Sequence, residues 1–569
     1  MWVLYKMPGG LLNLVAYGNQ NVILTGNPSK TFFKCAYAKY TNFGLQKFRL
    51  DFDGQRTLRL EAPSTFKFKV PRYADLLMDT YLVVTLPTIW SPIYPPDCDN
   101  GWRPYEFKWI KNLGTQMIQR VRFTVGGQLI QEFTGQYLYN LVERDFNDSK
   151  KDLYYKMTGN TAELNDPANA DGRTNVYPSA YYYDPTLCPG PEPSIRGRKL
   201  YIPLNIWFTL AAKMAFPLVS LQYNELHIEV EMRPVRDLFV IRNIPGAPGN
   251  SDPGDFYHRA DFNKAEQQFN MFLQPPLKAD FTSGFDEAAF PDTRTNWAAD
   301  IHLISTYAFL TDDEVRVFAA QPQSYLIKEA YQYKFPNLTG PKRVQLETLG
   351  MVSDWMWFFQ RSDVALRNEW SNYTNWPYDY LPYNLVDPSG TTKVTVGPCP
   401  PGAAAIHVDP SQDPSGTLTS IRITPWYSPM NQKDIMTSWA LLLDGKYREN
   451  QLDAGVLNYV EKYTRTSGNG PDGQYCYNFC LHTNPFDFQP SGAINLSKFQ
   501  NIEFELGMIN PPLDASAQVA TVCNDSGDII GINKPVWRIY EYSYDMTVLE
   551  ERYNVLNFTS GNAALMYAR

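Results

Sequence analysis

Histidine is scarce, with five residues at 227, 258, 302, 407 and 482 and no two close together in sequence. A cupin-like metal site needs clustered His beside a carboxylate, and no such spacing occurs. Cysteine is sparse as well: seven residues, an odd number, with no Cys-x-x-Cys pair, which excludes a disulfide framework and a zinc ribbon. Cys476 and Cys480, if on one strand, would stand about 13 Å apart and could not be bridged, so buried free thiols are expected. Charged residues are only 19% of the chain, the formal net charge is −8, and no run of basic residues occurs. Direct nucleic-acid binding is therefore not expected, because phosphate neutralisation needs clustered Lys and Arg. Long apolar runs are missing too. The longest candidate, 210–221, is broken by Lys213 and Pro217 and is too short to span a bilayer. The opening MWVLYKM lacks a secretory pattern, so the chain is expected not to be secreted.

Catalytic motifs are wanting in the same way. Neither a Gly-x-Ser-x-Gly nor a phosphate-binding glycine loop occurs, and GPDG at 470–473 is only a turn. Glu229 with Glu231 and Glu503 with Glu505 suggest the acid pair of a glycosidase. Residues two apart on a strand share one face, however, and the pairing occurs once in each half of the chain, which fits two solvated sheet faces better. No cofactor, no metal and no enzymatic activity are expected. The Asn-x-Ser/Thr triplets at 147, 337, 372, 495, 524 and 557 are expected to remain unmodified for want of a secretory route.

What the chain has in abundance is aromatics, at 15% with 38 Tyr, together with 43 Pro. Aromatics favour pleated half-buried surfaces, and Pro punctuates turns, so an all-β chain with long connections is expected. It opens on GGLLNLVAYGNQNVILTGNP at 9–28, which is apolar yet broken by glycine and proline. Such an arm gains burial only against something else. Gly9, Gly10, Leu11, Leu12, Tyr17, Gly26, Asn27 and Pro28 are its candidate assembly residues.

Beyond the arm, 31–52 reads as strand, loop and strand. TFKFKV at 65–70 alternates strictly, 76–86 is a continuous apolar strand, and 117–125 turns at Gly126–Gly127 into 128–132. Helical spacing of Tyr137, Leu138, Leu141 and Val142 predicts a short surface helix. A long Asn-, Pro- and Tyr-rich loop covers 147–197, and strands return at 200–208 and 224–232. The second half replays the first: ALLLDGKYREN at 440–450 matches VRFTVGGQLIQ at 121–131, each followed by a helical pattern, and IEFEL at 502–506 matches IEVEM at 228–232. Two tandem eight-stranded jelly rolls, with short helices in long connecting loops, account for this pattern. The expected divisions are an arm 1–29, a first roll 30–235, a connector 236–296, a second roll 297–552 and a tail 553–569. Tyr181, Tyr182, Tyr183, Trp370 and Trp376, in the loops 147–197 and 371–416 or at their edge, are candidate interface aromatics.

The stretch GGLLNLVAYGNQNVILTGNPSKTFFK at 9–34 resembles the N-terminal signature of the major capsid proteins of nucleocytoplasmic large DNA viruses. YIPLNIWF at 201–208, FPLVSLQYNELHIEVEM at 216–232, QPQSYLIKEAYQY at 321–333 and ERYNVLNFTSGNAALMYAR at 551–569 resemble further segments of that family, in order, and 74–96 is similar in style to mimivirus-like members. The residues before Pro8 extend past the family's usual start. The resemblance implies a double jelly roll forming homotrimers, pseudo-hexagonal capsomers that tile an icosahedral shell over an inner viral membrane. Neighbouring capsomers and minor capsid and penton proteins are the implied partners, and a virion assembled in the host cytoplasm is the implied location. It places the arm at the underside of the capsomer. A carbohydrate-binding double jelly roll, used in attachment, is the alternative that the loop aromatics support.

Overall fold

The computed structural model describes residues 9–35, 37–52, 54, 57–91, 105–174, 176–178, 181–182, 191–243, 257–264, 267–273, 297–378, 432–511, 520–523, 529–533 and 542–567. The chain divides into two units, Met1–Phe43 and Gly44–Arg569. In the first, the apolar arm forms the helix Gly9–Val15, a 3-10 turn Asn19–Asn21 and a single helical turn Val22–Thr25. Asn27 then takes a left-handed φ of 49°, a conformation that Asn tolerates better than most residues. Of the two strands expected over 31–52, only Gly44–Leu50 forms among the described residues, and it opens the second unit.

The second unit is two β-sandwiches of one topology. In the first roll, Gly44–Leu50, His302–Phe309, Leu76–Thr85 and Lys199–Pro203 lie side by side, while Ser64–Val70, Leu226–Met232, Ile118–Val125 and Gln128–Phe133 form the other sheet. In the second roll, Gln323–Leu338, Tyr544–Thr559, Met351–Arg361 and Gln474–Asn478 make one sheet, and Lys342–Gln345, Ile502–Met508, Met436–Leu443 and Lys446–Asp453 the other. Counted along the chain, both rolls carry their eight principal strands in the order 1-8-3-6 and 2-7-4-5. This is the jelly-roll arrangement, present twice.

Alternation decides which faces meet. Ser64–Val70 and Ile502–Met508 each bury every second residue, as a half-solvated strand must. Phe66, Phe68 and Phe123 share the first core with Leu82 and Val84 of the facing sheet. In the second core, Trp357 stacks on Trp439 at 5.3 Å between ring centres, and Trp355 meets Phe504 edge-on at 5.1 Å. The hairpin after the fourth strand uses Gly126–Gly127 in one roll and Asp444–Gly445 in the other, all four with positive φ, as a two-residue turn between twisted strands requires.

Three expectations are corrected here. His302–Phe309 does not open the second roll; it pairs with Gly44–Leu50 and Leu76–Thr85 and closes the first. The segment 236–296 is therefore part of the connection leading to that closing strand, and 297–310 belongs to the first roll. Periodicity identifies a strand but carries no information on partners more than two hundred residues away. Nor is 553–569 a separate tail: Tyr544–Thr559 runs through it as one sixteen-residue strand and turns at Ser560–Gly561 into Asn562–Leu565. The loop expected over 147–197 contains the helix Asp148–Thr158, started by the Asn147 side chain, which accepts from Lys150 N–H at 3.0 Å, and ended by Gly159 at φ 78°. Asn147 heads one of the six sequons, and this capping contact is its described role.

The third correction positions the site. The helix expected at the surface, Gly135–Asp145, is buried at every residue. Its Leu138 and Leu141 join the first core, while its other face meets the second roll. Gly135 begins it where a Cβ would overlap the carbonyl oxygens of Thr115 and Ile118. Gly135→Ala is expected to destabilise by about 1–3 kcal/mol, the usual range for overpacking, read as a lower unfolding midpoint.

Candidate assembly interface

The sheet of the second roll that contains Met351–Arg361 is covered on both sides. Trp355, Trp357 and Phe359 point into the second core, and Met356 and Phe358 into the apolar cluster of the first roll. Strand Met351–Arg361 is accordingly buried over eight consecutive residues, the pattern of a sheet packed on two faces. One wall is shared by both sandwiches.

Helix Gly135–Asp145 docks against that wall through polar residues spaced four apart. Gln136 donates to Gln360 at 3.0 Å, Asn140 donates to the Tyr373 hydroxyl at 2.9 Å, and Gln474 donates to the Asn140 carbonyl groups at 2.9 and 3.1 Å. Arg144 is the centre. Its guanidinium, fully buried, reaches Asp354 at 2.5 Å, Asp145 at 2.7 Å and Glu551 at 3.2 Å. Tyr137 donates to Glu551 at 3.0 Å, Lys328 pairs with it at 3.1 Å, and Ser353 donates to Asp354 at 2.7 Å. Thr483 donates to Asp145.

Opposing causes set the protonation of these carboxyls. Burial raises that of Asp145 to about 6 although Arg144 pulls it down. Burial and then the charge of Glu551 also raise Asp354. For Glu551, burial would act upward, but Lys328 and Arg144 outweigh it and hold the group at about 2. Deep ion pairs need their charges matched; here three carboxyls meet two cations at the seam between the rolls, and the excess carboxyl is accommodated by the upward shift of Asp145 and Asp354, which favours their neutral form. The arrangement is a structural clamp. Burial raises the Cys476 thiol beside it to about 11 and Cys480 to about 12, and both are free and buried, as unreactive thiols.

The carboxylate pairs considered for catalysis lie on open sheet faces. Arg120 reaches Glu231 at 2.5 Å, Arg122 lies 3.6 Å from Glu229, and Arg343 reaches Glu505 at 2.5 Å. These are cross-strand pairs on wet faces, individually worth little. Among the described residues, no cluster of three or more His, Cys, Asp or Glu is arranged to hold a metal.

The candidate aromatics fare unequally. Trp370 is engaged within the chain, donating from its indole N–H to the Asp237 carbonyl at 2.9 Å and stacking on the Arg233 guanidinium at 4.3 Å. It ties the second roll to the first. Trp376 is half-buried, its carbonyl accepting from Asn372 and Thr374, and its indole N–H has no partner among the described residues. Asn372, buried with both amide ends engaged, is closed to modification. Tyr181 and Tyr182 form a two-residue strand against Pro191–Glu192, and Tyr183 and the loop from 379 lie outside the described residues. In the arm, Leu11, Leu12 and Tyr17 are exposed, as are Leu14, Val15, Ile23 and Leu24; Gly10, Gly26, Asn27 and Pro28 are exposed beside them, and the backbone of Gly9 starts the helix.

Arg144, Lys328, Asp354 and Glu551 are absent from the sequence reading. A usable signal was present: Asp354 is the one charge in the apolar run VSDWMWFF, and so calls for a buried partner.

Two family models match the chain: a major capsid protein N-terminus over residues 31–253, and a large eukaryotic DNA virus major capsid protein over 314–564. The major capsid protein of Phaeocystis pouchetii virus is 26% identical over 99% of this chain and 100% of its own length. That of Paramecium bursaria Chlorella virus 1 is 24% identical over the same shares. Probable capsid protein 4 of Acanthamoeba polyphaga mimivirus is 28% identical over 89% of this chain and 93% of its own. Among solved structures, PBCV-1 VP54 superposes with a TM-score of 0.57 at 18% identity, covering 95% of this chain and 100% of that one. The Faustovirus major capsid protein gives 0.55 at 14%, with 93% of each chain covered. The fold is the double jelly roll of viral capsid shells. The chain belongs to the major capsid proteins of large eukaryotic DNA viruses, and its role is structural rather than that of a sugar-binding attachment module.

Proposed function

We propose that this chain is a non-catalytic shell subunit that associates as a homotrimer, and that the trimer is a pseudo-hexagonal capsomer tiling an icosahedral shell. The observation that carries the reading is the duplication itself. Two rolls of identical strand order, clamped through Arg144, let three chains present six similar towers, so that three-fold symmetry fills a six-fold lattice position.

The exposed apolar arm fits a role at the underside of the capsomer, against neighbouring capsomers, minor capsid or penton proteins, or an inner membrane. Tyr181, Tyr182, Tyr183 and Trp376 remain candidates for contacts between subunits, and the domain limits follow the closing strands, with the first roll ending at Phe309 and the second beginning at Gln323. Assembly in the host cytoplasm, without direct nucleic-acid contact, completes the reading. Light scattering of the purified chain tests it: a mass three times that of one chain is expected, and a monodisperse monomer at micromolar concentration would overturn it.

A further inference from the structure

In both rolls the fifth strand runs directly into a helix. In the first roll that helix, Gly135–Asp145, is entirely buried because its second, sixth and tenth residues, Gln136, Asn140 and Arg144, press on the second roll. In the second roll the helical segment begins at Ala454, directly after strand Lys446–Asp453, with a π-helical turn Val456–Val460 and the α-helix Glu461–Arg465. Its inner side repeats the first: Leu457 is fully buried, as Leu138 is. Its outer side does not. The sixth and tenth residues are Tyr459 and Tyr463, exposed at 64% and 91%, with Val460 between them at 53%. Two tyrosines, with Val460 adjoining them, thus stand uncovered where the equivalent residues of the first helix, Asn140 and Arg144, are fully buried, and single-chain burial leaves such patches for partners.

The receiving surface is duplicated as well. The second roll receives the first helix at Asp354, fourth residue of Met351–Arg361, facing Glu551 on the neighbouring strand. The first roll carries Asp79 as fourth residue of Leu76–Thr85, where it accepts from Thr306 of the neighbouring strand at 2.9 Å. Tyr81 and Ile304 pair across the adjacent row on the same face and are only half-buried, and Tyr201 is exposed beside them. A carboxylate set among half-exposed apolar side chains is what a tyrosine needs, a surface for its ring and an acceptor for its hydroxyl.

We infer that the stripe Tyr459, Val460 and Tyr463 docks on a second copy of this chain, on the outer face of its first-roll sheet around Asp79, Tyr81 and Ile304. The contact between subunits then reproduces the contact within the chain, helix of one roll on the outer wall of the next, with Tyr463 in the place of Arg144 and Asp79 in the place of Asp354. A head-to-tail contact of this kind closes into a ring when the rotation allows it. Six rolls from three chains give the ring, so the inference rests on the trimer proposed above and assigns its interface.

The test is sedimentation or light scattering of the full chain as a function of concentration, with near-ultraviolet circular dichroism to report the fold. Tyr459→Asp with Tyr463→Asp is expected to keep the wild-type spectrum, since both side chains are exposed, and to raise the association midpoint by roughly thirty-fold or more, as loss of paired aromatic anchors does. Adding Asp79→Lys to that variant is expected to restore association by supplying the opposite charge. A wild-type trimer whose double variant associates unchanged would overturn the docking assignment and leave the trimer standing. A wild-type monomer would overturn the trimer itself. If the double variant fails to fold, Tyr463→Arg alone decides: retained association, through the Arg–Asp pair that the chain already uses internally, supports the assignment, and dissociation overturns it.

Discussion

Arg144→Met is expected to destabilise the folded chain by about 3–5 kcal/mol, the usual result of removing one partner from a buried ion cluster. The three carboxyls around it, Asp145, Asp354 and Glu551, are all without solvent contact or nearly so, and they would be left with Lys328 alone. The loss comes from uncompensated charge rather than from the missing contact, so replacing Asp354 and Glu551 by Asn and Gln in the Arg144→Met background should recover part of it. Chemical unfolding midpoints, compared at one pH, provide the measurement. An Arg144→Met chain as stable as the wild type would show that the cluster does not clamp the rolls. For Glu551 the pH dependence has a definite sign, opposite to that of the raised Asp145 and Asp354. Glu551 is held at about 2 in the folded chain, below its ordinary value near 4.5, so its ionised form stabilises the fold at neutral pH. That contribution should be lost as pH falls from about 4.5 through about 2, and Glu551→Gln should flatten the acid limb of the unfolding curve.

The second large effect concerns the arm. Deleting residues 1–27 removes the helix Gly9–Val15 and the apolar residues Leu11, Leu12, Leu14, Val15, Ile23 and Leu24, all solvent-facing in the single chain. The arm and the body are separate units, and the clamp and both cores lie in the body. The truncated chain should therefore fold and associate as before, with an unchanged melting midpoint, and lose most of its capacity to build shells. Electron microscopy of assembly reactions, alongside light scattering of the unassembled protein, separates the two outcomes. Loss of the trimer on truncation would place the arm inside the capsomer interface instead.

Much of this architecture could be read from residue order. Strict alternation in TFKFKV and in LHIEVEM placed two strands of one sheet, and the paired Gly126–Gly127 and Asp444–Gly445 turns located the same hairpin in each roll. The closing strand of the first roll was legible only in part: matching IEVEM to IEFEL marks the seventh strand of each roll, but the next strand along the chain, Phe239–Asn243, pairs with Tyr105–Trp109 outside the two principal sheets, and the eighth, His302–Phe309, comes only after it. The buried helix was harder. Its heptad-like apolar spacing is that of any amphipathic surface helix, and nothing local says that Gln136, Asn140 and Arg144 face a second domain rather than water. The clamp was harder still, because its members are separated by as many as 414 residues, and pairwise chemistry over that distance leaves no periodic trace. Trp370 shows a related ambiguity: an aromatic on a loop suits an interface with a partner and an interface with the chain's other roll equally well, and its described contacts are of the second kind.

That long separation has a consequence for how the molecule is made. The ribosome releases Arg144 and Tyr137 hundreds of residues before it reaches Glu551, which lies in the last long strand. Until that strand arrives, the shared wall is incomplete, and the nascent first roll displays the polar side of its helix and the apolar side chains that will later rest on Phe558 and Leu556. Long-range pairing of this sort forms slowly and leaves half-made chains sticky. A stop codon placed before residue 544 is therefore expected to yield aggregate rather than a free-standing first roll, read by sedimentation of the translation product.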